Sequence, residues 1–443
     1  MTIYALSSGP GLSGIAVIRV SGIQSREIIS SLTDQPFPKE RLATLKKIKN
    51  NSTNELIDEG IVLWLPGPKT YTGEDMVEFH VHGSKAVINE MQNVISKFKD
   101  CRLAEPGEFT KKAFHNGKIN LLKAESIGDL IASETELQRK QALRIMTGES
   151  SKKFEKWRDE LIEILGNVEA KIDFPEEDIS DDIYKQIKTK SEKIKNQIKK
   201  VLDDNKTGEI IREGFKISII GPPNVGKSSL LNYLSKRQVA IVSEKAGTTR
   251  DVIEVYLNLD GIPVIISDTA GIRETSDDIE NKGVNLAINR AQDADLNIVL
   301  LDYKNLDFKG FLDEKIEDKS LIVINKSDLK ITDIKSLDNR YNSISISIKN
   351  ETNIDKLIEI IKKKLKTKII STENILITRS RHRQHLEECF KHLQNFLEKK
   401  DQDEFDKAAE DLRLSIRHLG SIVGRVDVEE ILGSIFDNFC IGK

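Results

Sequence analysis

The first 118 or so residues carry their apolar positions in short runs broken by turn residues. Residues 14–20 (GIAVIRV), 61–65 (IVLWL) and 76–81 (MVEFHV) read as strands, with Gly9-Pro10-Gly11, Pro66-Gly67-Pro68 and Pro106-Gly107 as turns between them. From about residue 119 the period lengthens. Ile127, Leu130 and Ile131, then Leu137, Leu143 and Met146, then Trp157, Leu161, Leu165, Val168 and Ile172 recur at helical spacing as far as Glu213. At Phe215 strands begin to alternate with helices: FKISII, PVIIS, LNIVLL, SLIVIN and SISIS are β-like, the pattern of a mostly parallel sheet. Beyond about Lys368 the helical period returns, with Phe405, Ala409, Leu412, Ile416, Leu419 and Val423 three or four residues apart. These periods predict a multidomain α/β chain: a small α+β domain over 1–118, and a helical domain in two parts, 119–213 and 371–443. An α/β domain over 214–370 interrupts the helical one. Insertion of this kind is tolerated because the ends of a domain often lie close together.

Charge and cysteine content narrow the classes. With 68 basic and 71 acidic side chains the net charge is −3, unlike that of a protein that simply coats nucleic acid, though a local basic patch stays open. The run RSRHR at 379–383 reads first as a solvated helix face, with an RNA contact as the alternative. Cys101, Cys389 and Cys440 lie far apart, with neither disulfide-scaffold nor zinc spacing. The opening segment lacks a basic stretch followed by a long apolar one, and no apolar run approaches the ~20 residues a bilayer requires. A cytoplasmic protein with no membrane association is the expectation.

Candidate chemistry sits in the interrupting domain. Residues 221–228 (GPPNVGKS) match GxxxxGK[ST] after a strand and before an apolar helix beginning at Ser229. The glycines would let backbone N–H groups curl around phosphate oxygens. Lys227 would reach the β- and γ-phosphates, and the Ser228 hydroxyl would ligate Mg²⁺. Asp268-Thr269-Ala270-Gly271 closes PVIIS, where a carboxylate can hold Mg²⁺ through water. Asn325-Lys326-Ser327-Asp328 ends SLIVIN: a buried Asp328 carboxylate would accept from guanine N1–H and N2–H₂, a donor pair adenine lacks. Ser347 would close over the base. Between the motifs, residues 243–251 (SEKAGTTRD) offer Thr249 as a Mg²⁺ ligand sensing the γ-phosphate. The residue after DTAG is Ile272, where many small GTPases use a water-orienting Gln; Ile has no polar atom for that task. Asn224 and the carbonyls of 243–248 could instead bind a monovalent cation beside the phosphates, although Asn224 also reads as a turn residue.

GPPNVGKSSLLN, AGTTRD, DTAGIRET, PGEFTKKAF and FCIGK, in this order over essentially the whole chain, resemble the MnmE (TrmE) family of tRNA modification GTPases. The resemblance implies a Ras-like P-loop G domain inserted in the helical domain and an N-terminal folate-binding and dimerisation domain. It implies a GTP site drawn from Asn224, Val225, Gly226, Lys227, Ser228 and Ser229, from Ser243, Glu244, Lys245, Ala246, Gly247, Thr248 and Thr249, from Asp268, Thr269, Ala270 and Gly271, and from Asn325, Lys326, Asp328 and Ser347. Mg²⁺ falls to Ser228 and Thr249; K⁺ falls to Asn224, Ser243, Lys245 and Thr248; Glu280 positions the catalytic water through a second water. A 5-formyl- or methylene-tetrahydrofolate falls to Arg19, Glu78, Lys118 and Lys443, and Cys440 is the cysteine of the FCIGK motif. The implied partners are a second copy, an FAD-dependent protein of the MnmG/GidA type in a heterotetramer or larger complex, and tRNA, whose wobble uridine receives an aminomethyl or carboxymethylaminomethyl group at C5.

Several positions depart from the family pattern or read differently by themselves. Ile348 stands where the base-capping motif usually has Ala, Ser243 where Thr is usual, and Lys245 where an apolar residue is common. Arg19 by itself reads as a solvated charge and Glu78 as the partner of a nearby Lys. His80 and His82 on one strand face read as structural rather than metal-binding, and Cys440 reads equally as a catalytic or redox thiol and as a small buried apolar residue. Two competing functions stay open: a GTPase switch in ribosome assembly, and a folate-dependent aminomethyltransferase with a regulatory G domain.

Overall fold

The computed structural model describes residues 1–9, 11–173, 181–236, 240–241, 254–268, 291–303, 319–329, 343–369, 375–399, 405–426, 429–436 and 439–442. They form two compact units: Met1–Gly128 with Ile145–Ala170 and Leu412–Lys443, and Asp129–Arg144 with Lys171–Asp411.

The first unit contains a six-stranded sheet in the order β3-β4-β5-β2-β1-β6. Its strands are β1 (Thr2–Leu6), β2 (Ser13–Ser21), β3 (Thr44–Lys49), β4 (Leu56–Leu65), β5 (Met76–Gly83) and β6 (Cys101–Leu103). Every second residue of β2 and β5 is apolar and buried: Ile18 and Val20, Val77, Phe79 and Val81. They pack with Ile28, Ile29 and Leu32 of α1 (Ser25–Leu32) and Met91, Val94 and Ile95 of α2 (Lys85–Ser96). Ser84 starts α2 by accepting from the Val87 N–H at 3.2 Å, an N-cap. The alternation leaves Arg19, Glu78 and His80 on the face away from α1 and α2. After α3 (Glu108–His115) and α4 (Leu121–Ile131), residues of α13 (Glu429–Phe436) complete a cluster of Leu121, Ala124, Leu432, Ile435, Phe436 and Phe439. That cluster brings the FCIGK segment onto this unit.

In the second unit a seven-stranded sheet has the order β13-β12-β11-β7-β10-β9-β8. Its strands are β7 (Phe215–Ile220), β8 (Ala240–Ile241), β9 (Glu254–Leu259), β10 (Ile262–Asp268), β11 (Leu296–Asp302), β12 (Ser320–Asn325) and β13 (Ser343–Ser345). The ladder is parallel from β10 across β7, β11 and β12 to β13, and β9 runs antiparallel to β10 and β8. The inner strands are buried almost residue for residue, as strands covered on both faces must be. α9 (Lys227–Lys236) and α10 (Ile354–Lys368) supply Leu230, Leu231, Leu234, Leu357, Ile361 and Leu365 to that core. Leu137 of α5 (Glu136–Met146) and Ile210 of α8 (Thr207–Glu213) pack against it. The predicted strands fall inside observed ones except SISIS (343–347), which runs two residues past β13; β1, β3, β6, β8 and β9 are additional.

The remaining helices are α6 (Glu149–Asp173), α7 (Asp181–Leu202), α11 (Ser380–Glu398) and α12 (Phe405–Val423). No helix among the described residues is long and apolar enough to cross a membrane. The run at 379–383 corrects the reading of a solvated basic face. His382 and Arg383 are buried, with Arg383 paired to Asp204 at 2.6 Å and Glu209 at 2.8 Å, and Arg379 paired to Asp129 at 2.7 Å. These guanidinium groups hold α11 to α8 and to Asp129 at the end of α4, so Arg379 and Arg383 are spent on internal pairs and not on solvent.

Candidate functional site

Five parallel strands end at one edge of the second sheet, and the chemistry gathers beyond their carboxyl ends, the expected place for a ligand in such a sheet. β7 runs into the loop 221–226. Gly221 has φ +145° and a Cβ there would lie 2.1 Å from the Leu300 carbonyl, so only glycine lets the loop leave the strand. Gly226 is equally constrained: a Cβ would lie 2.6 Å from Asn325 Nδ2. The loop turns through Asn224 in the left-handed region at φ +63°. Lys227 Nζ donates to the carbonyls of Gly221 and Pro222, both at 2.8 Å, so its ammonium lies over the loop where phosphate oxygens would converge.

Asn325 at the end of β12 is the hub. Its Nδ2 donates to the Val225 carbonyl at 2.8 Å and its Oδ1 accepts from the Ile348 N–H at 3.2 Å, joining the phosphate loop to the segment after β13. Lys326 Nζ donates to the Asn224 carbonyl at 2.8 Å and to Asp302 Oδ2 at 3.0 Å. Ser347 Oγ donates to Asp328 Oδ1 at 2.7 Å and accepts from the Asn350 N–H at 3.2 Å. Donation from Ser347, with the Asp328 segment's own backbone N–H next, holds the Asp328 carboxyl below its usual range; Lys349 and Lys326 add to this. Asp328 is exposed at the mouth of the cleft, not buried as the sequence reading supposed. The carboxylate that the sequence reading assigns to the base is thus held in place by Ser347. Ile348, the departure from the family pattern, keeps its N–H engaged on Asn325 while its side chain packs beside Gly226 and against the core.

Asn224, Val225, Gly226, Lys227, Ser228, Asn325, Lys326, Asp328 and Ser347 thus come together, with Ser229 on the first turn of α9 and Asp268 at the end of β10. Ser243, Glu244, Lys245, Ala246, Gly247, Thr248, Thr249, Thr269, Ala270, Gly271 and Glu280 lie outside the described residues, as does Lys443. Asp302 was missed by motif reading. The signal for it was its place at the end of LNIVLLD, one strand over from NKSD and at the same edge.

A second polar site lies on the first sheet. Arg19 and Glu78 are direct cross-strand partners on β2 and β5, and Glu78 Oε1 accepts from Arg19 Nε at 3.0 Å and Nη2 at 2.8 Å. Glu78 therefore pairs with an arginine rather than with a lysine. The guanidinium lies over the rings of Tyr71 (5.8 Å) and Phe109 (5.7 Å), two residues the sequence reading did not single out. Burial pushes the Tyr71 hydroxyl up, partly offset by Thr110 and Arg19. His80 Nε2 is 3.3 Å from Glu78 Oε2, and His82 Nδ1 is 2.8 Å from Asp58 Oδ1, so each histidine faces a carboxylate on the sheet. The FCIGK segment docks here: Ile441 bridges Pro106, the Gly442 carbonyl accepts from Ser7 Oγ at 2.9 Å, and Arg19 Nη1 is 3.5 Å from the same oxygen. Cys440 is exposed, not a buried apolar residue, with its carbonyl 3.4 Å from the Gly107 N–H. Lys118 is exposed, its stem packed on Gly73 two residues from Tyr71.

The parallel sheet, phosphate loop and carboxylate-bearing NKSD segment define a guanine-nucleotide-binding P-loop protein carrying a separate α+β domain. Residues 2–118 match the family model for the GTP-binding protein TrmE N-terminus, and residues 121–440 match that for the MnmE helical domain. The chain belongs to the MnmE (TrmE) family. It is 62% identical over 443 residues to a protein of Pelagibacter ubique named tRNA modification GTPase MnmE, covering all of both chains. Proteins of the same name from Rickettsia akari and Rickettsia rickettsii are 43% and 44% identical, again over all of both chains. Among solved structures, the G domain of the T. maritima FeoB iron transporter covers 34% of this chain and 98% of its own at 23% identity and a TM-score of 0.28, a likeness too slight to bear on function.

Proposed function

We propose that this chain is a GTP-hydrolysing tRNA modification protein. Working with an FAD-dependent partner of the MnmG/GidA type, it adds an aminomethyl or carboxymethylaminomethyl group to C5 of a wobble uridine. The observation that carries the GTPase half is the convergence on Asn325, which ties the phosphate loop to the Asp328–Ser347 pair in one cleft. The tRNA half rests on full-length family membership, which a ribosome-assembly switch sharing only the G motifs would not have.

In this reading Lys227 and the loop N–H groups hold the triphosphate, and Asp328 reads the base. Ser228 and Thr249 would hold Mg²⁺, and Asn224, Ser243, Lys245 and Thr248 would hold K⁺; both ions would supply positive charge where it develops on the transferred phosphoryl group. The exposed position of Ser228 and the left-handed turn at Asn224 fit those assignments. Ile272 offers no polar atom, so Glu280 would hold the attacking water. A 5-formyl- or methylene-tetrahydrofolate would supply the one-carbon unit. The fit is chemical: Arg19 and Glu78 offer a cation and an acceptor beside the aromatic wall of Tyr71 and Phe109, with Lys118 and Lys443 as further cations. The protein would work as a homodimer paired through its N-terminal domains, with the G domains meeting and parting as GTP is turned over, and Cys440 would stand exposed beside the folate site. The test has two arms. GTP turnover by the purified chain in K⁺ and in Na⁺ buffers should be faster in K⁺. Mass spectrometry of tRNA nucleosides from a deletion strain should show the wobble modification lost; unchanged nucleosides would sink the tRNA assignment.

A further inference from the structure

The arginine-rich run at 379–383 is spent largely inside the protein, because Arg379 and Arg383 are paired with Asp129, Asp204 and Glu209. A long exposed run of positive charge lies elsewhere in the same unit, on α7 (Asp181–Leu202). This helix buries one narrow face, Ile187, Ser191, Ile194 and Ile198, at spacings of four, three and four residues, and packs against α11. The rest of its circumference between residues 185 and 200 carries seven lysines against one acid, Glu192. Lys185, Lys190, Lys193, Lys199 and Lys200 are exposed.

We propose that this lysine face of α7 docks the phosphate backbone of the tRNA, a proposal that rests on the tRNA-modifying reading above. Charge complementarity selects the occupant. The chain as a whole carries −3, so a face with six more positive than negative charges over 16 residues is a local feature and not a reflection of composition. At about 1.5 Å per residue the stretch is ~22 Å long, enough to follow several phosphates. The chemistry selects the part of the RNA that is touched. Lysine ammonium groups on flexible stems are point charges suited to phosphate, and residues 185–200 hold no aromatic side chain on which a base could stack. The helix therefore orients the RNA by its backbone and leaves recognition of the uridine to other surfaces.

The test uses the full chain and a tRNA transcript in equilibrium binding from 50 to 200 mM KCl. A triple variant Lys193→Glu/Lys199→Glu/Lys200→Glu is compared with a charge-keeping triple, Lys193→Arg/Lys199→Arg/Lys200→Arg. Each lost phosphate contact removes roughly 0.7–0.9 from the slope of log affinity against log salt. The glutamate triple should therefore bind more than about tenfold more weakly at 100 mM KCl, with a slope lower by about 2, while the arginine triple keeps both. GTP turnover should be unchanged in both variants. A glutamate triple within twofold of the unaltered chain overturns the proposal, as does an arginine triple that falls equally far. Loss of GTP turnover in the unaltered chain would instead strike the proposed function and leave the binding comparison standing.

Discussion

Ser347 donates to Asp328 Oδ1 at 2.7 Å, which fixes the carboxylate that the proposed function turns toward the donor edge of guanine, and the same donation keeps the group ionised to lower pH than an ordinary aspartate. Asp328→Asn replaces one acceptor with an amide donor, which matches the C2 oxygen of xanthine. The variant should lose GTP affinity at least tenfold and gain affinity for xanthosine triphosphate, read by nucleotide competition; retained GTP preference removes Asp328 from base reading. Glu280→Ala makes the complementary prediction for the chemical step: GTP binding within about twofold of the unaltered chain, and kcat lower by about 10²-fold, the scale of a positioned general base or water holder. A kcat unchanged in saturating K⁺ would remove Glu280 from the mechanism. At this scale motif spacing made legible the candidate nucleotide residues that the structure brings together, except Asp302. Tyr71 and Phe109 were not legible, because nothing in sequence says that residues 71 and 109 meet over residue 19 until the sheet and α3 are folded.

Single elements were legible wherever one period dominated. The inner strands β7, β11 and β12 are unbroken apolar runs because both faces are covered, and they stood out from the sequence. β3 (TLKKIK) did not: Lys46 is buried and turns its ammonium onto the Asp34 carbonyl at 2.8 Å, so a charged residue fills a core-facing position. The basic run at 379–383 misled for the opposite reason, since its charges are matched by acids up to 250 residues away. Helix-to-helix pairing offers a pH test of such matched charges. Asp411 on α12 faces His392 of α11 and the Lys399 ammonium just beyond it. Burial pushes the Asp411 carboxyl up, but Lys399 and His392 outweigh it, and the carboxyl stays below its ordinary value of 3.8. A depressed folded value means that the contribution to stability is whole above about pH 3.8 and is lost as the pH falls below that. Asp411→Asn should therefore cost about 2 kcal/mol at pH 7, the scale of hydrogen bonds to a charged group, and progressively less below pH 3.8. Urea melts at a series of pH values read this directly, and a cost independent of pH would refute the ionic origin.

At the scale of the whole molecule a change of period marks where the α/β pattern begins, but the sequence could not announce that the FCIGK segment packs on the first sheet. That follows from packing. The Gly442 carbonyl accepts from Ser7, Ile441 bridges Pro106, and Gly107 has a left-handed backbone and no room for a Cβ against Phe436. Gly442 itself has φ +97°, and a Cβ there would lie 2.2 Å from the Leu6 carbonyl. Backbone, unlike a flexible side chain, cannot swing aside, so Gly442→Ala must lift the segment off β1. The nucleotide cleft is built from other residues entirely, on a sheet of its own, and nothing in this substitution touches Asn325 or the phosphate loop. The variant should therefore separate two activities that the family resemblance joins: tetrahydrofolate binding by calorimetry weakened at least tenfold, and basal GTP turnover within about twofold of the unaltered chain. If both fell together the two sites would be coupled through the fold, and if neither fell the docked segment would be no part of the folate site. Cys440→Ser, at an exposed position, alters no packing and serves as the control: it should leave folate binding intact, so that any loss of tRNA modification it causes reports on the thiol and not on the segment's placement.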